Sequence, residues 1–124
     1  MTNELRKLIQ SKLKTVCENV FYEIADNKMI YPHCVFSFKS VDTSDFAFAR
    51  KDINCDIDIW DKGNDATQIE DLADSVESLF NAKNIPQDEI LPTFFLDRRI
   101  SVLDEDKDIR HRVIRLTIQN YERG

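Results

Sequence analysis

The chain has 124 residues and a mass of 14.5 kDa, enough for one domain, residues 1–124, with a real core and little to spare. Hydrophobic residues make up 42% and charged residues 32%, the balance of a soluble globular protein rather than a disordered or membrane-embedded one. The formal net charge of −6 argues against a protein that grips DNA, which uses a basic surplus on one face.

The N-terminus, MTNELRKLIQ, carries charge but no apolar signal core, and no apolar run approaches the length of a membrane span. The chain is therefore expected to stay in the cytoplasm where it is made. Asn3 to Val16 reads as an amphipathic helix, with Leu5, Leu8, Ile9, Leu13 and Val16 at i, i+3, i+4 spacing. Asn19 to Ile24 is rich in aromatic and branched residues and reads as a short strand. Ala25 to Pro32 is a loop, and Pro32 marks the entry to the next strand. From His33 to Val41, Cys34, Phe36 and Phe38 face one way and Ser37 and Lys39 the other. After a polar connection (DTSDFAFARK), Asp52 to Asp61 alternates most clearly. Ile53, Cys55, Ile57 and Ile59 share one face, and Asn54, Asp56, Asp58 and Trp60 share the other.

The turn Asp61-Lys62-Gly63-Asn64-Asp65 ends that strand, and Thr67 to Phe80 forms a second helix. Ile69, Leu72, Ala73, Val76, Leu79 and Phe80 make its apolar stripe, while Glu70, Asp71, Asp74 and Glu77 lie on the wet side. Asp65 or Thr67 would cap its N-terminus. Asn84 to Pro92 reads as a loop. Two long strands follow, roughly Thr93 to Leu103 and Ile109 to Tyr121, joined by the charged turn Asp104–Asp108. Ile114, Leu116 and Ile118 give the last strand its apolar face. The order α-β-β-β-α-β-β predicts an α+β fold, a mainly antiparallel β-sheet with two helices packed on one face.

The stretch NCDIDIWD sets Asp56 and Asp58 side by side with Trp60 next in line. Paired carboxylates can hold magnesium against a phosphate, and a divalent-metal nuclease or phosphodiesterase would use Asp56, Asp58 and Asp61. Such an enzyme also needs a nearby glutamate and a basic residue, of which Asp61-Lys62 is only an echo. The wet face of a half-buried strand explains both carboxylates without chemistry. No metal, cofactor or catalytic residue is therefore assigned. Trp60 suits a protein interface but would equally lie under the second helix. His33 and His111 lack any ligand spacing and read as ordinary strand positions. The three cysteines, Cys17, Cys34 and Cys55, form no C-x-x-C pair, and buried reduced thiols are expected. The two glycines, Gly63 and Gly124, cannot build a phosphate-binding loop.

Charge is unevenly placed. From Asp42 to Glu77 there are 11 acidic residues against three basic ones, whereas Asp97 to Arg115 holds six basic and five acidic residues. The final hairpin carries Arg98, Arg99, Arg110, Arg112 and Arg115. Arg110 and Arg112 share one face, with Arg98 on the opposite strand. These arginines pair across strands with Asp97, Asp104 and Asp108, form a patch that meets the acidic middle of a neighbouring copy, or do both. The candidate interface residues are thus Asp56, Asp58, Trp60, Arg98, Arg99, Arg110 and Arg112. A third reading is an acidic inhibitor that mimics DNA.

The succession YPHCVFSF, DIDIWDKG, an amphipathic helix and FFLDRRISVLDEDKDIRHRVIRLTI resembles the small tail completion proteins of long-tailed bacteriophages and prophages. These are also called tail terminators or head-to-tail joining proteins. The most specific pieces are Tyr31-Pro32 at a strand entry, the DIDIWD strand, and the acidic turn followed by Arg110 and Arg112. The resemblance implies a non-enzymatic protein that forms a ring, typically a hexamer, at the head-proximal end of the tail tube. It implies tail tube protein and head connector as partners, DNA passing through without specific binding, assembly in the host cytoplasm, and a place in the virion tail.

Overall fold

The computed structural model describes residues 2–24, 30–43, 50–63 and 65–122. In chain order these form α1 (Thr2–Leu13), β1 (Val20–Tyr22), β2 (His33–Thr43), β3 (Arg50–Lys62), α2 (Thr67–Phe80), β4 (Lys83–Asn84), β5 (Ile90–Val102) and β6 (Ile109–Glu122). Parts of the expected loop at Ala25–Pro32, of the polar connection before β3 and of the turn at Asn64 lie outside the described residues, as does Gly124.

The strands make one six-stranded sheet in the order β1-β2-β3-β6-β5-β4. Every neighbouring pair is antiparallel except β1 with β2. The expected α+β architecture is therefore present. On β3, the central long strand, Ile53, Cys55, Ile57 and Ile59 are fully buried. Both helices lay their apolar stripes on that face, Leu5, Leu8, Ile9 and Leu13 from α1 and Ile69, Leu72, Ala73, Val76 and Phe80 from α2. One core results. All three cysteines are free and buried within it.

Three details depart from the expected boundaries. The first helix ends at Leu13, and the chain unwinds to Cys17 through turn bonds such as Val16 N–H to Leu13 O at 3.1 Å. A short strand, β4, precedes the loop expected from Asn84, and β5 begins at Ile90, which is fully buried. Pro92 then lies inside β5. In an antiparallel pair, a residue's N–H and C=O point to the same neighbour. Pro92 O accepts from Ile85 N–H at 3.1 Å, just beyond β4, so the donor that proline lacks faces the end of the edge strand rather than β6.

The second helix has the expected limits. Its N-cap residue, Ala66, makes no side-chain cap bond, and Asp65 Oδ1 instead accepts the Thr67 N–H at 2.9 Å. At the other end Ala82 has φ 53°, the left-handed region that favours glycine. Replacing Ala82 with glycine should stabilise the fold by about 0.5–1 kcal/mol, since relief of the Cβ clash outweighs the added unfolded-state freedom. Urea unfolding checks the sign; a destabilised variant would refute the account of this turn.

Candidate interface residues

Register decides which side chains meet. On the face away from the helices, the ladder aligns His33, Trp60, His111 and Val102 in one row across β2, β3, β6 and β5. Val35, Asp58, Val113 and Ile100 form the second row, and Ser37, Asp56, Arg115 and Arg98 the third. No described helix packs on this outer face. Asp56, Asp58, Trp60 and Arg98 therefore share it, while Arg99, Arg110 and Arg112 lie on the helix side.

Trp60 is not under α2. Its indole stacks between two imidazoles, His33 at 5.1 Å and 19° and His111 at 4.2 Å and 17°. Tyr31 extends the stack, tilted, 5.1 Å from His33. Local reading of the sequence missed this partnership, because the two histidines are neighbours of Trp60 only through the sheet. Burial holds the His33 pKa below its ordinary 6.5, the backbone at Ile30 partly offsetting this and His111 adding to it. The unfolded chain thus binds a proton more readily than the fold at this position. Stability from His33 is present above pH 6.5 and is lost as pH falls through the depressed folded value. Between pH 7.5 and 5.5 the wild type should lose more stability than His33→Phe, which keeps the ring stack. Urea midpoints at the two pH values measure this, and equal losses would overturn it.

Asp56 and Asp58 each have a basic neighbour on β6. Asp58 Oδ1 lies 2.7 Å from His111 Nε2, and Asp56 Oδ1 lies 3.3 Å from Arg115 Nε. The wet-face reading holds only in part: Asp58 is partly exposed, but Asp56 is buried and takes its ion pair from Arg115. Asp61 is buried on the opposite side of the sheet, opposite Arg110, so the trio Asp56, Asp58 and Asp61 cannot converge on one ion. Among the described residues no three His, Cys, Asp or Glu side chains are grouped for a metal.

Two of the helix-side arginines, Arg99 and Arg112, meet the acidic middle of their own chain. Arg99 donates to Glu70 Oε2 at 3.0 Å, to Asp74 Oδ1 at 2.6 Å, and to Glu77. Arg112 Nε donates to Glu70 Oε1 at 2.6 Å. Burial alone would lower the Arg99 pKa, but the hydrogen bonds it donates to Asp74 and Glu77 outweigh this and raise it. For Arg99 and Arg112 the partners are acids of α2, not Asp97, Asp104 or Asp108 as the cross-strand reading had it. Glu70, Asp74 and Glu77 on the wet side of α2 are thereby paired with arginines of the same chain. Arg98 has no ion-pair or hydrogen-bond partner among the described residues.

This sheet-and-two-helix arrangement matches a chain in the virion of a native gene transfer agent particle, with a TM-score of 0.66 over 93% of this chain and 92% of that one. The two share a fold. Sequence identity is 10%, so the likeness is one of architecture. No family model matches the sequence, and no curated protein matches it significantly. Among the described residues no helix is long and apolar enough to cross a membrane.

Proposed function

We propose that the chain is a non-enzymatic assembly protein of a phage-like virion. It forms a homo-oligomeric ring, taken as a hexamer, at the head-proximal end of the tail tube, stops tube polymerisation and joins tail to head. Its partners are further copies of itself, the tail tube protein and the head connector, and DNA passes through the ring without specific binding. It assembles in the host cytoplasm and remains in the virion tail.

The observation that carries this reading is the shared fold with a gene transfer agent virion chain over nearly the whole length of both. Two features support it. The outer sheet face has no described helix over it and presents exposed Arg98 and partly exposed Asp58 and Trp60 to a partner, whereas Asp56 is buried. The net charge of −6 also suits a channel that lets DNA pass without holding it. Of the helix-side arginines, Arg99 and Arg112 serve α2 first and can reach a neighbour only at the rim of that contact.

The test is a phage lacking the gene, with particles examined by electron microscopy and mass spectrometry. Unjoined heads and tails of uncontrolled length, rescued by the wild-type chain found at the junction, are expected. Normal joined particles without the protein would refute the proposal.

A further inference from the structure

The third row of the outer face holds an electrostatic conflict. Arg98 and Arg115 stand directly opposite each other on β5 and β6. Like charges at opposed strand positions destabilise a sheet unless something compensates them. Asp56 answers Arg115, but Arg98 remains unanswered among the described residues. Here both strands that flank the β3–β6 pair carry an irregularity, β2 between Phe38 and Ser40 and β5 between Leu96 and Arg98. The two bulges frame an open cavity of about 610 Å³, with Lys39, Arg98, Arg115, Asp56 and Asp97 among its walls. Bulges of this kind re-aim side chains, and they concentrate beside functional sites. Asp97 is engaged by the Thr117 hydroxyl at 2.7 Å. Lys39 and Arg98 are left as cations without a described partner.

The same chain carries the opposite charge on an exposed turn elsewhere. The β5–β6 turn begins with Leu103, which is 98% exposed, followed by Asp104, Glu105, Asp106, Lys107 and Asp108, all exposed. Asp104 Oδ1 accepts the Asp106 N–H at 3.0 Å and Asp106 Oδ1 accepts the Asp108 N–H at 2.9 Å, which orders the turn. Glu105 has no described partner and stands available. Beside the cavity, Phe95 on the outer face is 41% exposed and offers an apolar seat. At 3.3–3.4 Å per residue, Arg98 and Leu103 of one hairpin are roughly 17 Å apart, so a chain's own tip cannot fold back onto its own cavity.

We propose that this bulge-framed cavity receives the β5–β6 tip of a second copy, with Glu105 answering Arg98 and Leu103 packing on Phe95. The contact rests on the self-assembly reading above and gives it a geometry. Cavity and tip are different surfaces of one chain, so the contact is head-to-tail and propagates until rotation closes a ring. A polyphosphate is a poorer occupant, because Asp56 and Asp97 in the walls repel an extended anion, whereas one glutamate fits between the arginines.

A charge swap tests this with the full chain. Arg98→Glu and Glu105→Arg are each followed by sedimentation equilibrium, alone and mixed, up to about 1 mM protein, where contacts of millimolar strength still register. The wild type should self-associate, each variant alone should associate at least about tenfold more weakly, and the mixture should regain association because each broken surface finds a reversed one. Arg98→Glu should melt no lower than the wild type, since it removes a like-charge pair. Three results would overturn the contact: a wild type monomeric at every concentration, single variants that associate as the wild type does, or a mixture that does not recover. A chain that fails here yet is found at the head–tail junction of particles leaves the assembly role standing and removes only this contact. Absence from particles removes the role itself.

Discussion

Replacing Phe80 with alanine is expected to destabilise the protein by about 3–5 kcal/mol, the range for deleting a buried aromatic ring. Phe80 is the last residue of α2 and is fully buried. Its ring lies 5.0 Å from that of Phe94 on β5, tilted at 46°. The helix stops there, Asn81 is extended, Ala82 turns left-handed and β4 begins. The backbone is committed on both sides of the ring, which leaves little freedom to collapse into the space it vacates. Domains of this size have total stabilities of ~5–15 kcal/mol, so one substitution removes a large part of the margin. Phe95 is the control, because it neighbours Phe94 in sequence but points to the outer face and is half-exposed. Phe95→Ala should stay within about 1 kcal/mol of the wild type. Urea titration of both variants measures the contrast. A Phe80→Ala variant that loses less than Phe95→Ala would mean that the end of α2 does not dock as described.

How much of this could be read from the chain depends on the range over which each feature is determined. Helix α2 is local, since a stripe from Ile69 to Phe80 repeats at helical spacing over 14 residues, and its limits match the expected ones. The alternation of β3 places Asp56 and Asp58 opposite the isoleucines for the same reason. Parity along β3 also puts Asp61 on the face opposite Asp58, so the carboxylate trio is excluded by strand geometry alone. A related signal lay in β6, where Arg110 and Arg112 continue the parity of Ile114, Leu116 and Ile118 and so point toward the helices. Arginines in line with a core face must find acids there.

Pairings between distant strands are a different matter. The chain inserts β6 between β3 and β5, and only that order brings His111 onto Trp60. No window of local sequence encodes which strand will lie beside which. The bulge at Asp97 is harder still. Strict alternation from Phe94 and Leu96 would turn Arg98 toward the helices and Arg99 toward solvent. One extra residue reverses them, which delivers Arg99 to α2 and leaves Arg98 outside.

Arg99→Glu, the direct test of that reversal, should destabilise the fold by about 2–3 kcal/mol. Arg99 gathers Glu70, Asp74 and Glu77, and Arg112 shares Glu70. Charge-assisted hydrogen bonds contribute ~1.5–3 kcal/mol each when shielded. Asp74 is 69% exposed and Glu70 41% exposed, so screening by water cuts their share well below that. The larger effect is repulsion, because the variant crowds four carboxylates around one remaining arginine. Raising the ionic strength should recover part of the loss, which separates repulsion from lost packing of the arginine stem. Adding Glu77→Arg to Arg99→Glu restores an opposite-charge pair at the same site and should recover at least about half of the stability by a double-mutant cycle. The swapped pair then answers whether Arg99 also reaches a neighbouring copy. A contact confined to one chain lets the rescued variant self-associate as the wild type does. An arginine shared with the next subunit would leave the rescued variant folded but unable to associate, because its glutamate now faces acids that no swap has changed.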